Sequence, residues 1–326
     1  MHAPPRGLVY AIYYTALAIF AVPVNIVAIV ILSRGKCGLS RCISRYLVSM
    51  AVTDLLVIIT AVILNRIPAI YSPGSFLSIT PVCSFSVALI CAARVCSVWL
   101  TVMFTFDRYV AICCQKFKAK YCTHGTAGIV ISVVCTLGCL INIPWYFLHE
   151  PVYIVDNVPW YCKRRDILYS FLPWTIFDWT DLLLTPCLSF LLILSFNTLT
   201  VRHILAASRA RRRLRSCPTG ERQNDPEMES RRKSIVLLFA ISGCFILLWT
   251  PYIIFFFIER FQPGFTITGY SDPRFILRES TNVFQMLSCC TNTFIYAVTQ
   301  NKFREELKIL LKFPLNASHS LAPSRK

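Results

Sequence analysis

The stretch SIVLLFAISGCFILLWTPYIIFFFI, residues 234–258, runs for 25 residues without a charged side chain. A helix needs roughly 20 mostly apolar residues to cross a hydrocarbon core of about 30 Å. The run is too long for a strand, and its apolar residues do not alternate with period two, which excludes a β-barrel. Working outward, six further stretches have the same character, at 8–33, 46–66, 82–107, 127–148, 176–201 and 280–299. The predicted fold class is an all-α membrane protein, a bundle of seven transmembrane helices. The first stretch is too long for a signal-peptide core and no small-residue cleavage site follows it, so it reads as a retained span.

Composition agrees. Of the 326 residues, 56% are hydrophobic and 15% charged, with a mean hydropathy of +0.58. A soluble domain carries about 25% charged residues, so a soluble enzyme, a disordered tail and a collagen-like chain are excluded. The net charge of +17 does not require nucleic acid. With the N-terminus placed outside, 24 of the 33 basic residues fall on the cytoplasmic side and eight outside. That is the positive-inside bias. Residues 1–300 then form one seven-span domain, followed by a cytoplasmic helix and tail at 301–326. The basic run from Arg209 to Arg215 serves either anionic headgroups or a docking partner.

Of the 16 cysteines, only Cys83 and Cys162 lie on the outer side in this topology, where thiols oxidise. Their pairing would tie the loop before the fifth span over the mouth of the bundle. No cysteine pair has zinc spacing with histidine partners.

Charges inside a bilayer are costly and mark function or internal pairing. The second span carries Asp54, the third Arg94 and a terminal Asp107-Arg108-Tyr109, and the fifth Asp178 and Asp181. These residues belong to an ordered set: Asn25; Met50-Ala51-Val52-Thr53-Asp54; Asp107-Arg108-Tyr109, which comes 25 residues after Cys83; Pro186; Phe245 and Trp249-Thr250-Pro251; and Asn292-Thr293-Phe294-Ile295-Tyr296. In that order, each on its own span, they resemble the rhodopsin-like (class A) G-protein-coupled receptors along almost the whole chain. The stretches KCGLSRCISRYLVSMAVTDLL, MESRRKSIVLLFAISG and CCTNTFIYAVTQNKFREELK look like the orphan subgroup around probable G-protein-coupled receptor 139, in its fish-type members.

The resemblance implies roles residue by residue. Asp107, Arg108 and Tyr109 would form the coupling end, Arg108 pairing with Asp107 at rest and meeting a heterotrimeric G protein when the sixth span swings out. The acidic partner usual near the base of that span is missing; Arg231 stands there, so a loosely held resting state is expected. Phe245, Trp249 and Pro251 would form the switch, with Asn292 and Tyr296 below it. Asp54, Ser97, Ser288 and Asn292 match the family's sodium pocket, with Ser288 in place of an Asn. They would hold a sodium ion or a water-filled polar network, and no other cofactor is expected. Thr293 replaces a proline and Leu194 a tyrosine, which leaves Tyr296 alone to carry the inward tyrosine network.

The ligand pocket is expected around Ile90, Arg94, Asp178, Asp181, Trp249, Tyr252 and Asn282. Arg94 would pair with one of the two aspartates or with a carboxylate of the ligand, since an Arg fork fits a carboxylate bidentately. Ile90 stands where aminergic receptors carry an Asp, which argues against a biogenic amine. The short outer N-terminus points to a small molecule or short peptide entering under the loop at 152–166, with its Trp160 and Tyr161. Residues 301–313 place Phe303, Leu307, Leu310 and Leu311 on one stripe, an amphipathic helix lying on membrane lipid. No cysteine beyond Cys290 offers a palmitoyl anchor there. The Asn316-Ala317-Ser318 sequon would face the cytosol unused, the 216–229 segment is soft and polar, and Ser230 and Ser234 sit in a basic setting that suits a kinase.

The function expected is a plasma-membrane receptor that promotes nucleotide exchange on a G protein by contact, the resemblance implying the Gq type, and that is not itself an enzyme: there is no paired catalytic carboxylate, nucleophile elbow or phosphate loop. The alternatives are a seven-span transporter or channel, which would favour internal repeats and broken helices, and a non-signalling receptor relative.

Overall fold

The computed structural model describes residues 8–165, 171–214, 226–261 and 272–320, with side chains at 9–165, 171–209, 232–259, 261 and 272–312. Residues 216–225 of the soft segment, Asp166 and the side chains of Arg211 to Arg215, Ser230, Arg231 and the Asn316-Ala317-Ser318 sequon lie outside the described residues, and residues 226–229 of that segment are helical.

Seven long helices form the bundle. The first span is Leu8–Ser33 and the second Arg41–Tyr71. The third is Thr80–Cys113, the fourth His124–Tyr146. The fifth runs through Leu172–Leu182, Leu183–Leu188 and Ser189–Leu214, the sixth is Pro226–Phe261 and the seventh Pro273–Thr299. Among the described residues, six are long and apolar enough to cross a membrane. The seventh is diluted by Asn282, Gln285 and Asn292, which it turns towards the bundle rather than the lipid.

Local sequence explains where helices start, bend and stop. Ser40 and Thr123 cap the second and fourth spans, accepting bonds from the amides of Ile43 and Thr126. The fourth span was expected to reach 148 but ends at Tyr146 in a 3-10 turn, Ile143–Tyr146, where Pro144 supplies no amide hydrogen. Two π-helical turns, Ile58–Arg66 and Leu183–Leu188, interrupt the second and fifth spans, the latter around Pro186. Thr293, in contrast, sits in unbroken helix.

Lipid is as apolar as a leucine, so the helices are held by close packing and internal polar bonds. Asn25 is fully buried and donates to the carbonyls of Ala21 and Cys289, both at 2.9 Å, joining the first and seventh spans. Gly138 lets the fourth span press on the third: a Cβ there would lie 2.6 Å from Cys96 Sγ. The terminal helix, Asn301–Ser320, buries Phe303 against Tyr296 at 6.0 Å, and Leu307 and Leu310 pack on the same core, while Leu311 is exposed.

Among the described residues, the loop between the fourth and fifth spans holds four short strands. Tyr153–Val155 (β2) pairs antiparallel with Val158–Trp160 (β3) through a left-handed turn at Asp156 and Asn157. His149–Glu150 (β1) pairs with Lys163–Arg164 (β4). Cys83 and Cys162 form the expected disulfide, with Cα atoms 5.9 Å apart. Beside it the Tyr161 amide donates to Ser78 O at 2.6 Å and Thr80 Oγ1 to Tyr161 O at 2.7 Å. The strap is thus pinned to the start of the third span.

Candidate functional site: a cavity, a polar core and an arginine crevice

Three groups of residues line up along the bundle. At the disulfide end a cavity of about 600 Å³ opens between the second, third, sixth and seventh spans. Of the expected pocket residues, Ile90, Arg94, Trp249, Tyr252 and Asn282 line it. Asp178 and Asp181 do not. They face a separate space of about 50 Å³ behind Arg94, with His149 and Arg164.

The expected pairing of Arg94 with an aspartate is not made among the described residues. Arg94 Nη1 donates to Tyr252 Oη at 3.3 Å and Nη2 to Cys91 Sγ at 3.6 Å, and the guanidinium lies 5.8 Å from the centre of the Tyr252 ring. The reason is competition. Asp178 faces Arg164 at 3.9 Å, and Arg164 is itself stacked over Trp145. Asp181 accepts from Thr185 Oγ1 one turn along its own helix, at 3.4 Å. Arg94 is therefore left with neutral hydrogen-bond partners, and Asp181, across the small space behind it, meets it through charge alone.

The second ionic group of the cavity escaped the sequence reading. Glu279, 1% exposed, accepts from Arg66 Nη1 at 3.2 and 3.3 Å and from Tyr14 Oη at 2.9 Å. Arg278 Nε approaches the same carboxylate at 3.8 Å. The apolar runs end at 66 and begin at 280, so Arg66 and Glu279 fall at the edges of the spans and outside the expected pocket set. The continuous helix periodicity beyond those runs was the signal that would have found them.

Beneath the cavity lies the polar core. Both oxygens of the buried Asp54 are engaged: Ser97 Oγ donates to one at 2.6 Å and Asn292 Nδ2 to the other at 2.8 Å. Ser288 takes no part in that set. It accepts from Trp249 Nε1 at 3.2 Å and donates to Gln285 O at 2.6 Å. Trp249 packs against Phe245 at 5.2 Å, and Phe245 against Phe190 at 5.7 Å, both as tilted rings. Tyr296 is fully buried and its hydroxyl has no partner among the described residues, while Leu194 is exposed towards lipid.

The third group is a crevice of about 650 Å³ at the opposite end, lined by Arg108, Ile112, Lys233, Ser234 and Gln300. Arg108 pairs with Asp107 through Nε at 3.0 Å and through Nη2, and Cys42 Sγ donates to the other carboxylate oxygen at 3.2 Å. Its remaining arm, Nη1, donates to Ser234 Oγ on the sixth span at 3.3 Å. Tyr109 stacks on Phe196 of the fifth span at 5.7 Å. The model of the 7 transmembrane receptor (rhodopsin family) matches residues 24–296.

The chain belongs to that family. Rhodopsin-family receptors act by contact rather than by catalysing a reaction, and they relay signals to G proteins across a membrane. In this receptor the features such a relay needs are tied together through the sixth span. Tyr252, Trp249 and Ser234 each accept or donate a bond to a neighbouring span, at the cavity, the polar core and the crevice in turn.

Proposed function

We propose that this receptor sits in the plasma membrane with its N-terminus and disulfide outside, binds a small extracellular molecule or short peptide in the 600 Å³ cavity, and activates a heterotrimeric G protein, of the Gq type, at the Arg108 crevice. Its kinship within the family is with the subgroup around probable G-protein-coupled receptor 139. The observation that carries this reading is that an arginine ties the third span to the sixth at each end of the bundle, with Thr105 and Ser242 joined between them. Arg94 reaches Tyr252 at one end and Arg108 reaches Ser234 at the other. A ligand that competes for Arg94 loosens the first tie and biases the second, which is how differential contact shifts a two-state bundle.

Arg94 gives the ligand its chemistry. A guanidinium that faces a cavity and is hydrogen-bonded only to neutral groups favours an anionic group, and the aromatic walls at Trp249, Tyr252, Phe255 and Phe256 favour an apolar body. A sodium ion fits the core beneath. Asp54 supplies the charge and Ser97 and the Asn292 amide oxygen supply further hard donors, whereas Ser288 is committed to Trp249 and Gln285.

The test is a screen of small anionic and neutral compounds and short peptides on cells that carry promiscuous G proteins, read as calcium. A hit whose response disappears in Arg108→Ala at equal surface display supports the reading. Substrate flux without nucleotide exchange on any G protein would replace it with a transporter.

A further inference from the structure

A further groove, of about 1100 Å³, is formed where the first and second spans meet the start of the fourth, at the Arg108 end, and touches the Arg108 crevice only through Leu39. Its rim carries Arg34, Arg41, Arg45 and His124, all exposed. Its inner wall carries Ser44, Ser49 and Ser132, and its length is aliphatic, through Val48, Ile129 and Val133. No Asp or Glu lines it, and no ion pair engages the three arginines among the described residues.

The Arg45 guanidinium lies across Gly128 on the face of the fourth span, where the missing side chain leaves it room. There it donates to His124 O at 2.9 Å, which fixes one N–H and leaves the others directed at the rim. Beyond the groove the fourth span continues as an apolar strip open to lipid: Ile129 is 68% exposed, Val133 50% and Leu137 53%.

We propose that this groove binds one anionic glycerophospholipid. Its phosphate and headgroup charge lie among Arg34, Arg41 and Arg45, and one acyl chain follows Val48, Ile129 and Val133 towards the bilayer centre. Three uncompensated guanidinia around one concavity match a phosphate fork by fork, and the adjoining aliphatic strip gives the tail a continuous path. A protein partner would meet the strip only inside the hydrocarbon, and a soluble phosphate would leave it uncovered. The charge and the strip together select a lipid.

The purified full-length receptor in detergent, titrated with dioleoyl phosphatidylserine or dioleoyl phosphatidylcholine and weighed intact by native mass spectrometry, tests this. The expected result is one phosphatidylserine adduct held at least tenfold more tightly than phosphatidylcholine. Arg34→Gln with Arg41→Gln should lower that preference about tenfold with an unchanged melting temperature, since neither side chain bonds to the rest of the protein among the described residues. Ile129→Trp, which fills the tail path and keeps every charge, should weaken the same adduct. Lys116→Gln with Lys120→Gln, at the same membrane surface, should leave it intact. Equal loss in the lysine and arginine variants would mean diffuse attraction and overturn the site. So would equal binding of the two lipids, or preferential retention of cholesterol.

Discussion

Arg108 and Ser234 are joined by a single hydrogen bond, Nη1 to Oγ at 3.3 Å, and this is the link between the third and sixth spans at the crevice. The acceptor is a neutral hydroxyl. A carboxylate there would add Coulomb attraction to a guanidinium that is only 5% exposed. One hydrogen bond to a charged group contributes about 1.5–3 kcal/mol, and this one is partly open to water, so the lower end applies.

Removing that hydroxyl should therefore release the sixth span. Ser234→Ala is expected to raise basal nucleotide exchange severalfold, and Ser234→Glu to lower it below wild type. Membranes with matched receptor density, assayed with labelled guanine nucleotide and no ligand, give the comparison. Basal exchange that stays the same in both variants would show that the bond does not hold the resting state.

The polar core makes a separate prediction. Asp54 has one donor on each oxygen and retains lone pairs for a cation. Purified receptor should melt higher in sodium chloride than in choline chloride at equal ionic strength, and Asp54→Asn should erase the difference. Ser288→Ala should preserve it, because Ser288 bonds Trp249 and Gln285 instead.

These sites were not equally legible in the sequence. The spans were, because apolar length is a local property that survives folding. The set of Asp54, Ser97 and Asn292 was too, since each stands on its own span in a fixed order. The partner of Arg94 was not: Asp178, Asp181 and Tyr252 all lie within a few helical turns, and the choice fell to Arg164 and Thr185, which compete for the two aspartates. The strands at 149–164 were hidden because pairs of two or three residues leave no periodic trace. The Arg66–Glu279 pair was hidden because both charges sit just past the ends of apolar runs.

That pair has a stability consequence. Glu279 is almost fully enclosed and answers Arg66 and Tyr14 together. Breaking a buried pair from one side costs about 3–5 kcal/mol, since the remaining charge is stranded. Glu279→Gln should cut surface display and the melting temperature sharply. Glu279→Leu combined with Arg66→Leu should recover much of the loss. Additive losses in the double variant would show that the two residues act independently.

His149 gives the receptor a pH response at the disulfide end. Burial, with Arg164 and Arg165 nearby, holds its imidazole below the ordinary value of 6.5, against the opposing effect of the Trp145 carbonyl 2.7 Å from Nδ1. The folded state then binds fewer protons than the unfolded state, so stability is full above about pH 6.5 and falls as the pH drops below it. Melting temperatures between pH 7.5 and 5.0 should decline more for wild type than for His149→Gln. Parallel declines would remove His149 as the cause.

Arg94 is where geometry and signalling can be separated most directly. Its guanidinium contacts only neutral groups, Tyr252 Oη and Cys91 Sγ. Replacing it with Gln breaks no ion pair, though Asp181 behind it loses a favourable charge, so folding should suffer less than in Glu279→Gln, which breaks a direct pair. If Arg94 holds an anionic ligand, Arg94→Gln will keep surface display and lose the response to an anionic agonist by tenfold or more. Arg94→Lys will recover part of it, because a point charge replaces a planar fork. Tyr252→Phe removes the internal competitor for the guanidinium and should sharpen the response of an anionic agonist rather than weaken it. A neutral agonist should respond far less to the two Arg94 changes and to Tyr252→Phe than an anionic one does. Equal sensitivity of anionic and neutral agonists to Arg94→Gln would instead assign the residue to the tie between the third and sixth spans, with no part in reading the ligand's charge.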